Sequence, residues 1–253
     1  MLTPDLDRAR RFLTANPPPG ELLLCGVTGS HMYGFPSADS DVDIKGIHLA
    51  PLTSVLGLDK PQEAYDRLEF FEDVEHDLTT HELSRALGLL LQGNGNVLER
   101  ILTPIQIVES EDVDALRELA RGAISKRFVG HYRGFFKGCR REHEIHRRAK
   151  TLLYSYRVAL TGAHLLKTGV LNANLVEIAP QHGFESVLEL VDVKRAGREK
   201  EVLDETMDAR HTARWDELDA YIQTALTEST LPDEPANREA MDAWVVNRRR
   251  RQL

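Results

Sequence analysis

The chain has 253 residues, 42% hydrophobic and 28% charged, which is the composition of a globular protein with a sizeable core. Its net charge of −8 argues against a protein that coats nucleic acid, and no apolar run reaches the roughly 20 residues of a membrane-spanning helix. The cysteines, Cys25 and Cys139, are far apart, which argues against a disulfide framework or zinc site and predicts a protein of the reducing cytoplasm.

The first predicted elements are a helix and a strand. The spacing of Leu6, Ala9 and Phe12 predicts a short amphipathic helix that is capped near Thr3. The apolar run over 21–28 predicts a buried strand that follows it.

This strand ends at a turn formed by Gly29 and Ser30. Glycine lets the backbone approach a ligand without a Cβ in the way, and a short helix capped by Ser30 would turn a hydroxyl and free N–H groups toward a polyphosphate. The glycine–serine pair alone is a common turn. The chain is then expected to return antiparallel to the first strand.

Two carboxylates mark the returning strand. Asp41 and Asp43 flank Val42, and alternate residues of a strand point to the same side, so we expect the two side chains to project together. They repel each other unless a cation sits between them, and Mg²⁺ or Mn²⁺ suits such oxygen ligands. Such a pair can also be the solvated face of an edge strand, but its combination with Gly29 and Ser30 favours a metal–nucleotide site.

The remaining pattern predicts an α+β protein, with a small mixed β-sheet followed by a helical C-terminal bundle packed on it as one unit. A helix is expected over 83–91 and a strand over 102–108, on a sheet edge because of Pro104. Gly169 is expected to end a helix, and 170–178 is either a short strand or a connector. Later helices are predicted over 113–121, 125–148, 150–168, 184–195, 199–227 and 236–249.

Basic residues concentrate in the segment 137–150, which holds six Lys or Arg against two Glu. Together with the cations at 126, 127 and 133 it could form a positive lip that binds the phosphates of an NTP or an RNA 3′ end. The alternative is a solvated helix with ion pairs such as Glu144 with Arg148. The terminal run 248–251 is expected to be a frayed, solvated tail.

The glycine–serine turn followed by Asp41 and Asp43 resembles the nucleotidyltransferase fold of the DNA polymerase β superfamily. The longer match over 29–46 is similar to one branch, the RNA-repair-pathway nucleotidyltransferases (RlaP), and it continues thinly through 94–99, 150–157 and 229–232. This resemblance implies a nucleotidyltransferase catalytic core over 1–110 and a helical domain over 111–253. It also implies Mg²⁺- or Mn²⁺-dependent transfer of an NMP from an NTP to a hydroxyl, with pyrophosphate release.

The resemblance further implies a third carboxylate before a helix with the pattern Asn-Pro-Asn-x-x-Glu. The alternation around Asp77 places Glu75 on the same strand face, so Asp77 is the candidate and Glu75 the alternative. The helix pattern reads Asn94-Gly95-Asn96-Val97-Leu98-Glu99 here, without the proline, and a helix-capping role for these residues remains open.

A family pattern Lys-x-x-x-His-x-x-Arg corresponds to Lys150, Tyr154 and Arg157. The resemblance implies that Lys150 and Arg157, with Gly29 and Ser30, bind the nucleotide phosphates. Tyrosine is a poorer proton carrier than histidine near neutral pH, so the role of Tyr154 stays open.

The motif does not specify the acceptor of the transferred nucleotide. An RNA end is favoured by the basic segment. The alternatives are AMP transfer to a Tyr, Ser or Thr of a partner protein, as in antitoxin-type relatives, and a non-catalytic nucleotide sensor. The sequence does not indicate which NTP is used or an oligomeric state.

Overall fold

The computed structural model describes residues 3–198 and 202–253. Within them, the chain forms one mixed sheet whose strand order is β3-β4-β2-β1-β5. β2 pairs antiparallel with β1 and parallel with β4, so the antiparallel return of the chain after the turn is confirmed. The strands are β1 (Glu21–Val27), β2 (Val42–Leu49), β3 (Ala64–Phe71), β4 (Val74–Glu82) and β5 (Gln106–Glu109).

The helices alternate with the strands at first and then dominate, which confirms the α+β class. The predicted helix over 199–227 divides at residue 213, and residues 199–201 lie outside the described residues. The helices are α1 (Leu6–Ala15), α2 (Gly29–Met32), α3 (Leu52–Leu56), α4 (Leu83–Leu91), α5 (Gly95–Leu102), α6 (Val113–Gly122), α7 (Val129–His146), α8 (Ala149–Thr168), α9 (Leu175–Gln181), α10 (Leu188–Val193), α11 (Glu205–Thr212), α12 (Trp215–Glu228) and α13 (Arg238–Arg250).

Other local predictions have mixed outcomes. Gly169 ends α8 with a φ of +69°, a left-handed backbone conformation that favours glycine, so its predicted cap is confirmed. β5 is an edge strand as predicted, although it begins at Gln106. The segment 170–174 is a connector that leads into α9. The sequence did not predict β3, whose apolar Leu68 and Phe70 face solvent instead of the core.

Helix α1 covers one face of the sheet. Its N-cap is Asp5, whose side chain accepts a 2.9 Å hydrogen bond from the backbone N–H of Arg8, and not Thr3. Phe12 is fully buried in a cluster that includes Ile44 of β2 and Leu78 of β4. This cluster forms the smaller of the two cores.

The opposite face of the sheet packs on the helices of the C-terminal half. Ile47 and Leu49 of β2 belong to a larger core cluster that runs through α4, α5 and α8. Because side chains alternate along a strand, Asp43 and Lys45 project to the face opposite Ile44, toward these helices. The side chains of Asp43 and Lys45 therefore lie between the sheet and the helical half.

The C-terminal arginines are anchored and not frayed, so the predicted solvated tail is wrong. Arg248 is buried and donates hydrogen bonds to Asp112 (2.5 Å) and Glu21 (2.6 Å). Arg249 donates to the buried carboxylate of Glu82 at 2.7 Å. These carboxylates precede their arginine partners by at least 136 residues, so no local pattern revealed the contacts.

The cysteines Cys25 and Cys139 are free thiols. Burial raises the pKa of Cys25 to about 12, so this thiol stays protonated near neutral pH. Within the described part of the chain, no helix is long and apolar enough to cross a membrane.

Candidate active site

The turn after β1 is held against the returning strand. The backbone N–H of Thr28 donates to the carbonyl of Asp43 at 2.9 Å, and Gly29 follows with a φ of +61°. Helix α2 begins at Gly29, so Ser30 lies inside the helix and does not cap it. Its hydroxyl is buried and has no hydrogen-bond partner among the described residues, which leaves it available to a ligand.

The parallel pairing of β2 and β4 places Asp77 in register with Asp43. The ammonium group of Lys45 lies between them, 2.8 Å from Asp77 Oδ2 and 3.9 Å from Asp43 Oδ1. A strand period of two residues puts Lys45 on the same face as Asp43. The sequence therefore contained the signal for Lys45, although the motif alone predicted no role for it.

The Asp43 carboxylate is electrostatically strained. Burial raises its pKa to about 6, the charges of Asp41 and Asp77 add to the rise, and Lys45 and Lys150 oppose it. Its side chain is only 21% exposed. A carboxylate whose charged form is disfavoured in this way gains most from a bound cation.

These carboxylates fit the donor set of a nucleotide-bound Mg²⁺, although they do not form a complete cage. Within residues 3–198 and 202–253, no three His, Cys, Asp or Glu side chains are gathered in metal-binding geometry. Mg²⁺ typically binds one or two carboxylates and completes its coordination with water and substrate phosphates. Asp41 and Asp43 supply such a pair, while Asp77 is already engaged by Lys45.

Two cavities of about 390 Å³ each adjoin the carboxylates. The first, here the tyrosine cavity, is lined by Thr28, Gly29, Tyr33, Asp43, Lys45, Thr79, His81, Asn94, Asn96, Glu99, Arg100 and Tyr154. The second, here the lysine cavity, is lined by Ala38, Asp39, Ser40, Asp41, Phe70, Asp73, Val74, Glu75, Lys150 and Lys194.

The two aspartates of the motif thus line different cavities. Asp41 immediately precedes β2 and lines the lysine cavity, whereas Asp43 lies within β2 and lines the tyrosine cavity. Glu75 lines the lysine cavity with Asp41, while Asp77 pairs in register with Asp43. The motif therefore sits at the boundary between two potential substrate sites.

The predicted contact between Arg157 and phosphate requires correction. Arg157 is 4% exposed, and its guanidinium donates to Glu99 at 2.8 Å and stacks 3.9 Å from the Tyr33 ring centroid. It lines neither cavity. The helical spacing from Lys150 was correct, but Arg157 lies on the buried side of α8, so it positions Tyr33 and Glu99.

Tyr154 forms part of the wall of the tyrosine cavity. Its ring packs edge-on against Tyr33 and Phe35, with centroids 5.9 and 5.8 Å away. Burial raises the pKa of its hydroxyl, and the nearby charge of Asp43 adds to the rise. The group therefore stays protonated near neutral pH, so its structural role is packing at the cavity wall.

The Asn94–Glu99 segment combines a helix cap with a buried ion pair. Asn94 caps α5 by accepting from the backbone N–H of Val97 at 3.2 Å, whereas Glu99 accepts from Tyr33 and Arg157 and does not cap. A Cβ at Gly95 would come within 2.5 Å of the His131 ring. A proline at this position would therefore require His131 to move.

The lysine cavity contains two cations from distant parts of the chain. Lys150 lies at the start of α8, and Lys194 directly follows α10. Lys194 is 2% exposed and donates to the hydroxyl of Ser37 at 3.3 Å. Sequence reasoning missed Lys194, because 157 residues separate it from this partner.

Two of the six cations in the basic segment pair with carboxylates of helices packed against it. Arg147 pairs with Asp208 at 2.6 Å and Arg140 with Asp216 at 3.6 Å. Glu144 and Arg148 form no ion pair in the described chain, so that predicted pair is wrong. Outside the segment, Lys126 and Arg133 pair with Asp233 and Asp219, and Arg127 pairs with Glu234.

Substitution of Gly29 should be costly. A Cβ at this position would collide with the Asp43 carboxylate, and the positive φ adds strain. We expect Gly29→Ala to lower the free energy of unfolding by about 2 kcal/mol or more, measured by urea denaturation. Gly134→Ala is the matched control, because its Cβ would meet nothing within 4 Å. Equal stability of both variants would show that Asp43 can move away from the turn at little cost.

Comparison with known proteins adds independent information. The family model described as "RNA repair pathway DNA polymerase beta family", RlaP, matches residues 6–247. An uncharacterized protein, MJ0002, of Methanocaldococcus jannaschii is 26% identical over 218 residues, which cover 83% of this chain and 86% of the relative. A crystal structure of a nucleotidyltransferase-like protein from Exiguobacterium sibiricum is 15% identical with a TM-score of 0.34, covering 87% of this chain and 74% of that one. Because the family model spans nearly the whole sequence, the chain belongs to the RlaP family of the DNA polymerase β superfamily.

Proposed function

We propose that this protein is a metal-dependent enzyme that transfers a nucleoside monophosphate from an NTP to a hydroxyl group at an RNA end and releases pyrophosphate. The observation that carries the proposal is the Asp43 carboxylate, which is packed against Gly29, lies next to Asp77 and has a pKa raised to about 6 by burial. Membership of a nucleotidyltransferase family supports the same chemistry.

Asp41 and Asp43 would hold Mg²⁺ or Mn²⁺, with Asp77 joining them once Lys45 moves away. When bound, the metal would lower the pKa of the attacking hydroxyl and neutralise charge on the leaving pyrophosphate. The buried Ser30 hydroxyl, which has no hydrogen-bond partner in the described part of the chain, and the adjacent Gly29 would contact the nucleotide phosphates. Lys150, which lines the lysine cavity beside Asp41, would supply positive charge to the same phosphates.

In the reaction, the acceptor oxygen forms a bond to the α-phosphorus as the bond to the β-phosphate oxygen breaks. Asp77 would take the proton of the acceptor hydroxyl, since its carboxylate lies beside that of Asp43, where the acceptor would bind. Lys45, 2.8 Å from Asp77, would hold this carboxylate in position until the substrate arrives. The catalytic core is proposed to comprise residues 1–110 and the helical domain 111–253, in a cytoplasmic protein.

The RNA acceptor is supported by the family description more than by surface charge. The family is described as one of an RNA repair pathway. The basic segment contributes less than its composition suggests, because Arg140 and Arg147 are paired with carboxylates. Protein AMP transfer and nucleotide sensing remain the competing outcomes of the test.

The decisive assay incubates the purified protein with Mg²⁺ or Mn²⁺, each α-³²P-labelled NTP and a mixture of RNA 3′ ends. We expect label on RNA with the wild type and with Asp59→Asn, an exposed loop variant, and none with Asp43→Asn. Label on protein would show that the acceptor is a protein and not an RNA end. Metal-dependent NTP binding without transfer would indicate a non-catalytic nucleotide sensor. Turnover by Asp43→Asn would refute the proposed site.

A further inference from the structure

One buried arginine of the tyrosine cavity has no ion-pair partner among residues 3–198 and 202–253. Three arginines in the described chain are buried: Arg100, Arg157 and Arg248. Arg157 pairs with Glu99 and Arg248 with Asp112. Arg100, on α5, has no carboxylate within ion-pair distance among the described residues. Its environment therefore differs from that of the two structural arginines.

The guanidinium of Arg100 has unused hydrogen-bonding capacity. It is 4% exposed and donates one hydrogen bond, at 3.1 Å, to the backbone carbonyl of Gly46. Its Nε has no partner among the described residues, although an arginine side chain carries five N–H donors. Burial lowers its pKa to about 10, so it remains charged near neutral pH. A buried charge without a partner is unfavourable and is relieved by an anionic ligand.

The surroundings of Arg100 are suited to a phosphate group. His81, which lines the same cavity, has a buried Nδ1 without a partner in the described chain. Burial lowers the pKa of His81 to about 4, so its ring is neutral and can donate a hydrogen bond. Asn96 also lines this cavity. The planar fork of arginine matches two phosphate oxygens at once, which a lysine cannot do.

We propose that Arg100 anchors a phosphate subsite in the tyrosine cavity, where it holds a phosphate group of a substrate that reaches Asp43. The two residues line one cavity of about 390 Å³, which is within the size range of small-molecule sites. The identity of the substrate rests on the proposed function, whereas the affinity of the cavity for phosphate does not. The phosphate belongs either to the NTP or to the acceptor end.

The primary test uses inorganic phosphate as the probe, in EDTA and at constant ionic strength, with binding measured by calorimetry. Hydrogen bonds to charged groups contribute about 1.5–3 kcal/mol, so Arg100→Gln should weaken phosphate binding about 10- to 100-fold. Arg117→Gln is the matched control, because Arg117 is ion-paired with Glu109 of the edge strand β5, and it should bind like the wild type. Equal affinity of Arg100→Gln and the wild type, or no binding to the wild type, would overturn the subsite.

A second variant keeps the test decisive if Arg100→Gln does not fold. Arg100→Lys preserves the charge but removes the fork, so it should bind phosphate several-fold more weakly than the wild type. Unchanged affinity in this variant would contradict a bidentate site. Loss of phosphate binding in Lys150→Gln, with full affinity in both Arg100 variants, would assign the anion to the lysine cavity and refute the proposal.

Two further titrations identify the source of the phosphate. Weaker binding of ATP by Arg100→Gln would assign the subsite to the NTP. A loss confined to RNA with a terminal phosphate, relative to the same RNA with hydroxyl ends, would assign it to the acceptor. Phosphate binding that depends on Arg100 without any nucleotidyl transfer would refute the proposed function alone. Transfer with phosphate binding independent of Arg100 would refute the subsite alone.

Discussion

Asp43→Asn should abolish nucleotidyl transfer and, at the same time, stabilise the metal-free protein. Loss of this carboxylate removes a metal ligand, whose contribution of several kcal/mol corresponds to a decrease in rate of at least about 1,000-fold. Stability should change in the opposite direction, because burial and the charges of Asp41 and Asp77 raise the pKa of Asp43 from 3.8 to about 6. This difference corresponds to an upper limit of about 3 kcal/mol at pH 7.

The sign of this effect follows from proton binding. The folded protein binds the Asp43 proton more tightly than the unfolded chain, so the ionised carboxylate lowers stability above pH 6. This penalty decreases as the pH falls through 6 and is absent below the unfolded value of 3.8. The advantage of Asp43→Asn should therefore be largest at pH 7–8 and disappear near pH 4.

Urea denaturation in EDTA at pH 7.5 and pH 4.5 measures the stability difference and its pH dependence. The assay with labelled NTP measures transfer. Asp59→Asn is the control, because Asp59 is exposed in a loop and its substitution should change neither stability nor transfer. If Asp43→Asn is instead less stable at pH 7.5, contacts of the carboxylate with its surroundings outweigh the cost of burying its charge.

The second large effect concerns the buried pair of Glu99 and Arg157. Their side chains are 2% and 5% exposed, and their atoms lie 2.8 Å apart. Glu99→Leu leaves the guanidinium buried without its partner, so we expect a loss of about 3–5 kcal/mol in the free energy of unfolding. Tyr33 and Tyr132, whose hydroxyls donate to Glu99, would lose their acceptor as well.

A double variant separates the ion pair from general packing. Replacing both charges, as in Glu99→Leu with Arg157→Met, should recover much of the stability lost in either single variant, because no unpaired charge remains. Glu109→Gln, which removes the exposed partner of Arg117, serves as a surface control with a cost of about 1 kcal/mol or less. Additive losses in the double variant would show that the residues do not interact energetically. All measurements use urea denaturation at pH 7.5.

The sequence predicted the sheet around Asp43 because its signals are local. Apolar runs bounded by turns identified β1 and β2, and alternation around Asp77 placed that residue on a strand of its own. Edge strand β3 was missed, because its Leu68 and Phe70 point to solvent, contrary to the usual amphipathic pattern. The resemblance of the motif to known sequences predicted the RlaP family, and the match of the family model to residues 6–247 confirmed this assignment.

Interactions between distant segments could not be predicted in the same way. Helical spacing put Lys150 and Arg157 on one face of α8, but it could not show that this face turns inward at Arg157, where Glu99 meets it. The charge count of the basic segment likewise omitted Asp208 and Asp216, which neutralise Arg147 and Arg140. A single sequence shows which charges are present but not which of them cancel.

The anchoring of α13 has a consequence for the order in which the chain can fold during synthesis. Asp112 and Glu82 are almost fully buried, and their partners Arg248 and Arg249 are synthesised 136 and 167 residues after them. Until then, the segments that carry these carboxylates lack their countercharges. We therefore expect the nascent chain to remain incompletely packed around β4 and α6, and to acquire its full resistance to proteolysis only once α13 has emerged and docked.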